Sequence, residues 1–347
     1  MTIEKIEFQG FKNCYKIKWN HFKMIITQDV GPRILSLSFE ENASIFGMKS
    51  HNLSMIKSNN SSIGGESNHS NSNDQWNLFG GHRLWHAPEC AGRTYYPDNL
   101  PIQIEFVNDE TMIIMRQAIE HTTGIKKTIT MEIKGGVGRL SYIEVNHYLE
   151  NKGNWPIQCA PWAISVLTKD TKAIIPLSND SINGLVPKTS ISLWNYTKLQ
   201  DSRLTLGNKY IMVQQEDKSS DGNSSNKIGS RVNSGWSASI TNSTLFVKII
   251  DPDTKDLHVD LGANVEVYTD NDILELETVG KLLTLEPTPP LSPPIDVSSP
   301  LKIRNTTPFV QVLTEKWYLF QLNDIPTPQN DNDVDKNILP IINEILN

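Results

Sequence analysis

Short runs of β-branched and aromatic residues, separated by turn residues, dominate this chain of 347 residues. Many runs alternate apolar with polar residues, which is the period of a strand with one buried face. Helical periodicity over about ten or more residues is missing until the C-terminus, so the pattern argues against βαβ units and predicts an all-β, antiparallel sandwich. The predicted strands are 24–27, 34–39, 102–106, 111–118, 126–133, 140–149, 157–167, 210–214, 237–240, 245–250, 264–268 and 273–278.

Three segments of biased composition interrupt these runs, at about 49–75, 216–227 and 287–308. The first two are rich in Asn, Ser and Gly and bury too little apolar surface to offset their ordering entropy, whereas the third is polyproline-like. We expect all three to be low-complexity loop insertions in one large β-sandwich domain that spans residues 1–325. Residues 326–347 are predicted to be a linker and a short amphipathic helix, because isoleucines recur there at helical spacing behind Asp335.

Charge and cysteine content narrow the classes of function. The net charge of -7 and the pI near 5.7 give no basic footprint for nucleic acid or for an anionic membrane. Cys14, Cys90 and Cys159 are odd in number and widely spaced, so they predict neither a disulfide framework nor a zinc site. The N-terminus lacks the apolar core of a signal peptide, and no run has the length of a membrane helix. We expect a cytoplasmic protein with no nucleic-acid or membrane partner.

The densest group of polar and aromatic residues is WNLFGGHRLWHAPE, at 76–89. Its paired glycines permit a close backbone approach and its proline favours an extended preceding residue, so the middle is predicted to be a strand or an extended loop. In such a segment Arg83 and Trp85 share one face, while His82 and His86 share the other. We expect this stretch to form one wall of a pocket. The alternative, a hydrogen-bonded structural histidine beside an exposed one, stays open.

Three further charged residues stand at positions that suit a pocket. Arg33 follows a Gly-Pro bend between two strand-like runs, so a hairpin would place it at a sheet end. There it can contact a ligand or form a surface salt bridge. Glu275 and Glu277 share one face of a predicted strand, which either lines a pocket or meets solvent.

Several segments together resemble the galactose mutarotase-like superfamily, and within it the uncharacterised DUF4380 group. In chain order they are TQDVGPRILSLSF, NLFGGHRLWHAPE, LENKGNWPIQCAPWAISVL, KIGSRVNSGWSASITNSTLFVKII, GANVEVYTDNDILELETVGKLLTLEP and EKWYLF. They lie between residues 24 and 320 and cover most of the chain outside the insertions. The resemblance implies a β-supersandwich that binds a sugar on a concave sheet. In catalytic members, a glutamate base and a histidine acid interconvert the anomers of an aldose.

The resemblance assigns roles to particular residues. The family glutamate lies in a strand reading roughly L-E-T, which falls here on Glu277, and Arg83 matches an arginine that holds sugar hydroxyls. Near the place of the family histidine this chain has Trp162, which can stack on a sugar but cannot protonate its ring oxygen. His82 or His86 is therefore the expected acid. The expected substrate-binding residues are Arg33, Arg83, Trp85, Trp162 and Glu275.

Two functions follow from this interpretation. The first is an isomerase similar to an aldose 1-epimerase, which needs no cofactor because a carboxylate and an acid suffice for the proton transfers. The second is a non-catalytic carbohydrate-binding protein that has lost the acid, since eight tryptophans can supply a stacking platform. A metal site of His82, His86 and Glu89 is a third interpretation, but ligand directions diverge along a strand, so we expect no metal.

Overall fold

The computed structural model describes residues 1–48, 77–107, 111–135, 138–178, 189–216, 225–251, 257–288, 310–323 and 325–347. In these ranges the chain is mostly antiparallel β-structure in two large sheets that form a sandwich. The predicted all-β sandwich is therefore confirmed. The predicted insertion at 49–75, and most of those at 216–227 and 287–308, lie outside the described residues.

The strands are short and follow one another closely along the chain. In chain order they are β1 (Thr2–Phe8), β2 (Phe11–Trp19), β3 (Phe22–Thr27), β4 (Arg33–Phe39), β5 (His82–Ala87), β6 (Gln103–Val107), β7 (Met112–Arg116), β8 (Ile125–Lys134), β9 (Tyr142–Asn151), β10 (Ile157–Leu167), β11 (Lys172–Pro176), β12 (Ile191–Leu193), β13 (Leu204–Leu206), β14 (Tyr210–Gln214), β15 (Asn226–Ser230), β16 (Trp236–Thr241), β17 (Thr244–Ile250), β18 (Val265–Thr269), β19 (Leu274–Val279), β20 (Leu283–Leu285) and β21 (Val310–Gln321).

Each sheet joins strands from distant parts of the chain. The first sheet has the order β1-β2-β3-β4-β5-β10-β19-β18-β15-β12, and β20 also pairs with β10. The second has the order β13-β14-β11-β16-β17-β21-β9-β8-β7-β6. In the first sheet β10 lies between β5 and β19, and β19 pairs on its other side with β18. The long-range pairing of β5 with β10 brings the stretch at 77–89 to the centre of the first sheet.

The core lies between the two sheets, where alternate side chains of each strand meet. Ile34, Leu84 and Leu276 of the first sheet belong to one buried cluster with Val145 and Phe246 of the second. Burying an aliphatic or aromatic side chain of this size contributes roughly 1.5–3 kcal/mol, so this interior fixes which face of each strand points inward. The opposite face of the first sheet does not take part in this core.

All twelve predicted strands are present, with bounds that differ by no more than about two residues at either end. Shorter strands were not predicted, among them β11, β12, β13 and β20. One boundary was wrong: the predicted insertion at 216–227 ends too late, because β15 begins at Asn226 and Lys227 is buried within it.

The C-terminus forms two short helices, α1 (Asp331–Asn337) and α2 (Leu339–Leu346). A helical C-terminus was predicted, but not the first helix or the break, which coincides with a proline in the first turn of α2. Val334, Ile338 and Ile342 are fully buried in a second cluster, against Trp236 and Tyr318 of the second sheet. No helix in the described ranges is long and apolar enough to cross a membrane.

Candidate functional site on the outer face of the first sheet

The outer face of the first sheet, opposite the shared core, collects charged and aromatic side chains from five adjacent strands. Cross-strand partners share a face, so the pairs Arg33–Arg83, Arg83–Ile164, Ile164–Glu277 and Glu277–Glu266 place one side chain each from β4, β5, β10, β19 and β18 on this side. The predicted sharing of one face by Arg83 and Trp85 agrees with this register. This face is the candidate site.

Glu277 lies at the centre of the site and is completely buried. Its Oε2 accepts hydrogen bonds from Trp162 Nε1 at 2.6 Å and from Lys227 Nζ at 2.8 Å. Its Oε1 is buried and has no hydrogen-bond partner among the described residues. A buried polar atom without a partner costs roughly 1–3 kcal/mol, and more when it carries charge. A hydroxyl group bound at Oε1 would remove this penalty.

Lys227 links two carboxyl groups. Its Nζ lies 2.8 Å from Glu277 Oε2 and 2.8 Å from Glu266 Oε2. The same ammonium stands 4.5 Å from the ring centre of Trp162 and 4.6 Å from that of Trp194. Burial opposes the charge, but attraction to Glu277 and Glu266 outweighs it and holds the pKa of Lys227 well above its ordinary value. Lys227 is therefore a fixed cation within the site.

Glu266 and Glu277 face each other directly across β18 and β19. Two carboxylates so placed repel one another, and both side chains are fully buried. Burial, above all, raises the pKa of Glu266 to about 8; the charge of Glu277 raises it further and the ammonium of Lys227 opposes the rise. At neutral pH Glu266 therefore keeps its proton. Both carboxyl groups share one lysine, so their protonation is linked.

Aromatic rings adjoin the charged centre. The rings of Trp85 and Trp162 meet edge to face at 5.6 Å, and Tyr95 packs against Trp85 at 5.2 Å. Tyr95 and Tyr196 are partly exposed, and the hydroxyl of Tyr95 donates to Glu89. Burial raises the pKa of Tyr196, and the charges of Lys227 and Glu277 at the centre of the site also act on it. Such rings offer apolar faces to a sugar, together with polar tips.

Arg83 supplies a second cation on this face. Its Nη2 lies 3.1 Å from Glu275 Oε1, and its guanidinium stands 4.4 Å from the ring centre of Trp85. Both charged side chains are nearly buried. Burial raises the pKa of Glu275, and the nearby charge of Glu277 adds to the rise while Arg83 opposes it. The structure thus brings four predicted site residues together around Trp162: Arg83, Trp85, Glu275 and Glu277.

Arg33 is fully buried, so the surface salt bridge considered from the sequence is excluded. Its Nη1 donates to the carbonyl of Gly80 at 2.6 Å, and its Nη2 pairs with Asp98. Gly80 has a φ of 74°, and a Cβ there would lie 2.0 Å from the carbonyl oxygen of Gly47. Only glycine fits this approach. Arg33 therefore links the residues just before β5 to the loop that contains Asp98, at the edge of the site.

His82 is on the inner face of the sheet, away from Glu277. Its Nδ1 lies 2.9 Å from Ser165 Oγ, and its Nε2 lies 2.7 Å from His147 Nε2. His147 Nδ1 lies 2.9 Å from the carbonyl oxygen of Leu313, to which it must donate. His147 Nε2 then accepts from His82, and His82 Nδ1 accepts from Ser165. Burial lowers the pKa of both histidines, so this chain of hydrogen bonds is neutral.

His86 shares the inner face with His82 and is also fully buried. Neither of its ring nitrogens has a hydrogen-bond partner among the described residues. Burial lowers the pKa of His86 to about 2, and the charges of Lys127 and Arg93 act in the same direction. The structure therefore does not bring His82 or His86 together with Glu277. Strand alternation puts them on the opposite side, and their depressed pKa values make them poor proton donors near neutral pH.

One group of potential metal ligands lies in the interior, and it differs from the set considered from the sequence. Donor atoms of His82, His147 and Glu315 lie within 4.8 Å of one another. The two imidazoles are already hydrogen-bonded to each other. Glu315 Oε1 lies 3.1 Å from Lys248 Nζ, and its Oε2 accepts from Trp317 Nε1 at 2.7 Å. The potential ligand atoms are already hydrogen-bonded within the group, and Glu315 pairs with the ammonium of Lys248. The arrangement therefore fits an internal polar network better than a metal site.

Two central residues of the site were missed from the sequence. Lys227 was assigned to a low-complexity insertion, and Glu266 was not weighed although it lies in a correctly predicted strand. The pattern signal for Glu266 was its position in the middle of an alternating run. Deciding that it opposes Glu277 requires the register between β18 and β19, which alternation alone does not provide.

Comparison with known proteins supports the fold. No protein-family model matches this chain, and no curated protein does. Among solved structures, a putative aldose 1-epimerase from Klebsiella pneumoniae subsp. pneumoniae MGH 78578 is similar with a TM-score of 0.56 and 11% identity, over 99% of this chain and 87% of that one. A galactose mutarotase-like protein from Lactobacillus casei ATCC 334 has a TM-score of 0.46 and 10% identity, over 89% of this chain and 100% of that one. At 11% identity, the similarity to the Klebsiella structure shows a shared sandwich fold alone.

Proposed function

We propose that this chain binds a sugar on the outer face of the first sheet and acts on it as an aldose 1-epimerase-like isomerase. The observation that carries the proposal is the buried Oε1 of Glu277, a carboxylate oxygen without a partner among the described residues, beside the indoles of Trp162 and Trp85. Aromatic faces next to a fixed carboxylate are suited to a molecule with apolar CH faces and hydroxyl edges. The fold is compatible with this function.

In the proposed reaction Glu277 is the base. Its Oε2 is held by Trp162 and Lys227, so Oε1 is the atom that would take the proton from the anomeric hydroxyl. A proton donor protonates the ring oxygen, the ring opens, the aldehyde rotates, and the reverse steps close the ring on the other face. Arg83 and Glu275 are placed to contact other hydroxyls. Neither His82 nor His86 is retained as the donor, because both point into the core.

The charges of the site favour an uncharged sugar. Glu266, Glu275 and Glu277 lie on this face with Lys227 and Arg83, and each cation is already paired with at least one of the carboxyl groups. A sugar phosphate would need a cationic cluster with free donors. We therefore propose a neutral aldose or a related neutral sugar as the ligand.

We further propose that the chain belongs to the DUF4380 group within the superfamily. This proposal rests on the order of the motifs along the sequence. The most informative are NLFGGHRLWHAPE, which contains β5, and GANVEVYTDNDILELETV, which spans β18 and β19. An alignment of further members would test it by showing whether Lys227 and Glu266 accompany these motifs.

A second candidate function is non-catalytic sugar binding. It is favoured by the hydrogen bond from Trp162 Nε1 to Glu277 at 2.6 Å, since a tryptophan stands near the place where the resemblance implies a histidine acid. Both functions use the same surface and the same rings. They differ in whether bound sugar changes its anomeric configuration.

The test combines binding with turnover. Saturation-transfer NMR on a panel of neutral aldoses should show binding, and exchange NMR or polarimetry should show faster anomer interconversion. Glu277→Gln should keep binding and lower the rate by roughly 10² to 10⁴, the usual contribution of a general base. Glu105→Gln is a control with the same charge change on an exposed outer strand. Binding without acceleration would support the second function, and no binding at all would exclude both.

A further inference from the structure

Glu266, Lys227 and Glu277 form one connected unit on the outer face of the first sheet. The two glutamates come from directly paired positions of β18 and β19, and Lys227 comes from the next strand, β15. One ammonium lies 2.8 Å from an oxygen of each carboxyl group. Both glutamates are fully buried, so water does not screen them. The cation therefore stabilises a negative charge on either carboxyl group.

The stem of Glu266 is closely packed, whereas its carboxyl Oε1 is buried without a hydrogen-bond partner among the described residues. The neighbouring residue on β15 is Gly229, where a Cβ would lie 3.2 Å from Glu266 Cγ and 3.5 Å from the ring of Trp194. The charged groups that act on Glu266 are Lys227, Glu277 and Asp260. With the lysine between the two glutamates, the unit has two carboxyl groups and one cation. A single proton on one carboxyl group balances the charge.

We propose that Glu266 is the proton donor of this site, and that Lys227 joins it to Glu277 as one acid–base pair. This inference rests on the proposed isomerase function and deepens it. It supplies the acid that the two histidines cannot provide, because they point into the core. It also assigns to Lys227 a role that a simple binding site would not need.

The proton transfers balance without any further reactant. In ring opening, Glu277 takes the proton of the anomeric hydroxyl, and the freed electron pair forms the carbonyl. The bond between the anomeric carbon and the ring oxygen breaks, its electrons go to the ring oxygen, and that oxygen takes the proton of Glu266. Glu277 is then neutral and Glu266 charged. One negative charge therefore remains beside Lys227 throughout, and ring closure returns both protons.

Other donors on this face are less suited to the role. Lys227 is held in its charged form by two carboxyl groups, and its pKa well above the ordinary value makes it a weak acid. The hydroxyl of Tyr95 already donates to Glu89, and its pKa is raised, chiefly by burial. Glu266, whose pKa is raised to about 8, carries a proton at neutral pH and releases it within the working range of an enzyme.

A first experiment requires no sugar. Infrared spectroscopy of the wild-type protein at pH 7 should show the carbonyl stretch of a protonated carboxyl group, and that band should disappear on titration with a midpoint near pH 8. Glu266→Gln should abolish the component of the band that titrates near pH 8. Glu315→Gln is the matched control, because Glu315 is also buried and paired with a lysine, yet its pKa is lowered. If the wild type lacks a component that titrates near pH 8, or if that component persists in Glu266→Gln, the proposal is overturned.

A second experiment follows the reaction. Glu266→Gln should lower the rate of anomer interconversion by roughly 10² to 10⁴ while sugar binding persists, and the wild-type rate should fall as the pH rises past about 8. A wild-type rate in Glu266→Gln would overturn the role of Glu266 and leave the isomerase function intact. A wild-type protein that binds sugars but accelerates none of them would overturn both. The infrared titration of the wild type remains decisive if the variant does not fold.

Discussion

Replacing Lys227 with methionine tests the electrostatic description of the site most directly. The side chain of Lys227 is nearly buried between Trp162 and Trp194, and its ammonium contacts two buried carboxyl groups. Methionine keeps an unbranched apolar chain of similar length and removes the charge. The variant therefore leaves Glu266 and Glu277 facing each other without a cation.

The expected loss of stability can be worked out from the groups that remain. Glu266 is protonated at pH 7 in the wild type. Without the charge of Lys227, the other carboxyl group, that of Glu277, must also take up a proton to remain buried. Protonating an ordinary glutamate at pH 7 costs about 3–4 kcal/mol, since each pH unit corresponds to about 1.4 kcal/mol. The lost contacts with two indole rings add roughly 1 kcal/mol each. We expect Lys227→Met to lower the free energy of unfolding by about 5–6 kcal/mol, slightly more than the 3–5 kcal/mol typical of a broken buried pair.

The pH dependence separates this effect from a loss of packing. In the variant, the folded state holds a proton that the unfolded chain releases above about pH 4.3, so its stability deficit grows as pH rises. Urea unfolding followed by circular dichroism should give a deficit about 2–3 kcal/mol smaller at pH 5 than at pH 7. The double variant Lys227→Met with Glu277→Gln should recover most of the difference. A deficit below about 1 kcal/mol at pH 7, or one equal at both pH values, would refute the reasoning.

Two further predictions concern the core and the C-terminus. The pKa of His86 is lowered to about 2 in the folded state, so the unfolded chain binds a proton below about pH 6.5 that the folded protein does not, and the free energy of unfolding falls as the pH falls. In urea titrations, the decrease between pH 7 and pH 4 should be about 3 kcal/mol smaller for His86→Leu than for the wild type. Equal acid sensitivity of both proteins would contradict this. Ile342→Ala should cost about 2–5 kcal/mol because Ile342 is fully buried on the inner face of α2, whereas Glu344→Ala on the exposed face should change the unfolding free energy by less than about 0.5 kcal/mol.

The fold was predictable because strand periodicity is a local property. β10 has bounds identical to those predicted, since its eleven residues are apolar except for Gln158 and Ser165 and lie between turn signals. β15 was missed because its sequence, NKIGS, carries a polar composition like that of the insertion before it. Its burial comes from neighbours far away in sequence, β18 and β12. Composition cannot report that contact.

The site was predicted in part, for the same reason. Alternation correctly separated Arg83 and Trp85 from His82 and His86, but it could not say which pair points towards the core. The choice is fixed by packing, because Leu84 lies between the two histidines and belongs to the buried cluster shared with the second sheet. Placing the histidines beside Glu277 would require a register shift of one residue in β5, which would expose Leu84 and bury Arg83 in that cluster.

The geometry of paired strands explains how the site can carry an acid when the histidines point away. Residues directly opposite in an antiparallel pair have Cβ atoms about 5 Å apart, and the carboxyl groups of Glu266 and Glu277 can converge from there on neighbouring atoms. The two oxygens that exchange protons in a mutarotation are bonded to the same carbon, so a base and an acid on adjacent strands match their spacing. Trp162 would then serve to orient the base and to stack on the ring, which are tasks that a tryptophan can perform. The absence of a histidine near that position is therefore compatible with catalysis, provided that the second carboxyl group supplies the proton.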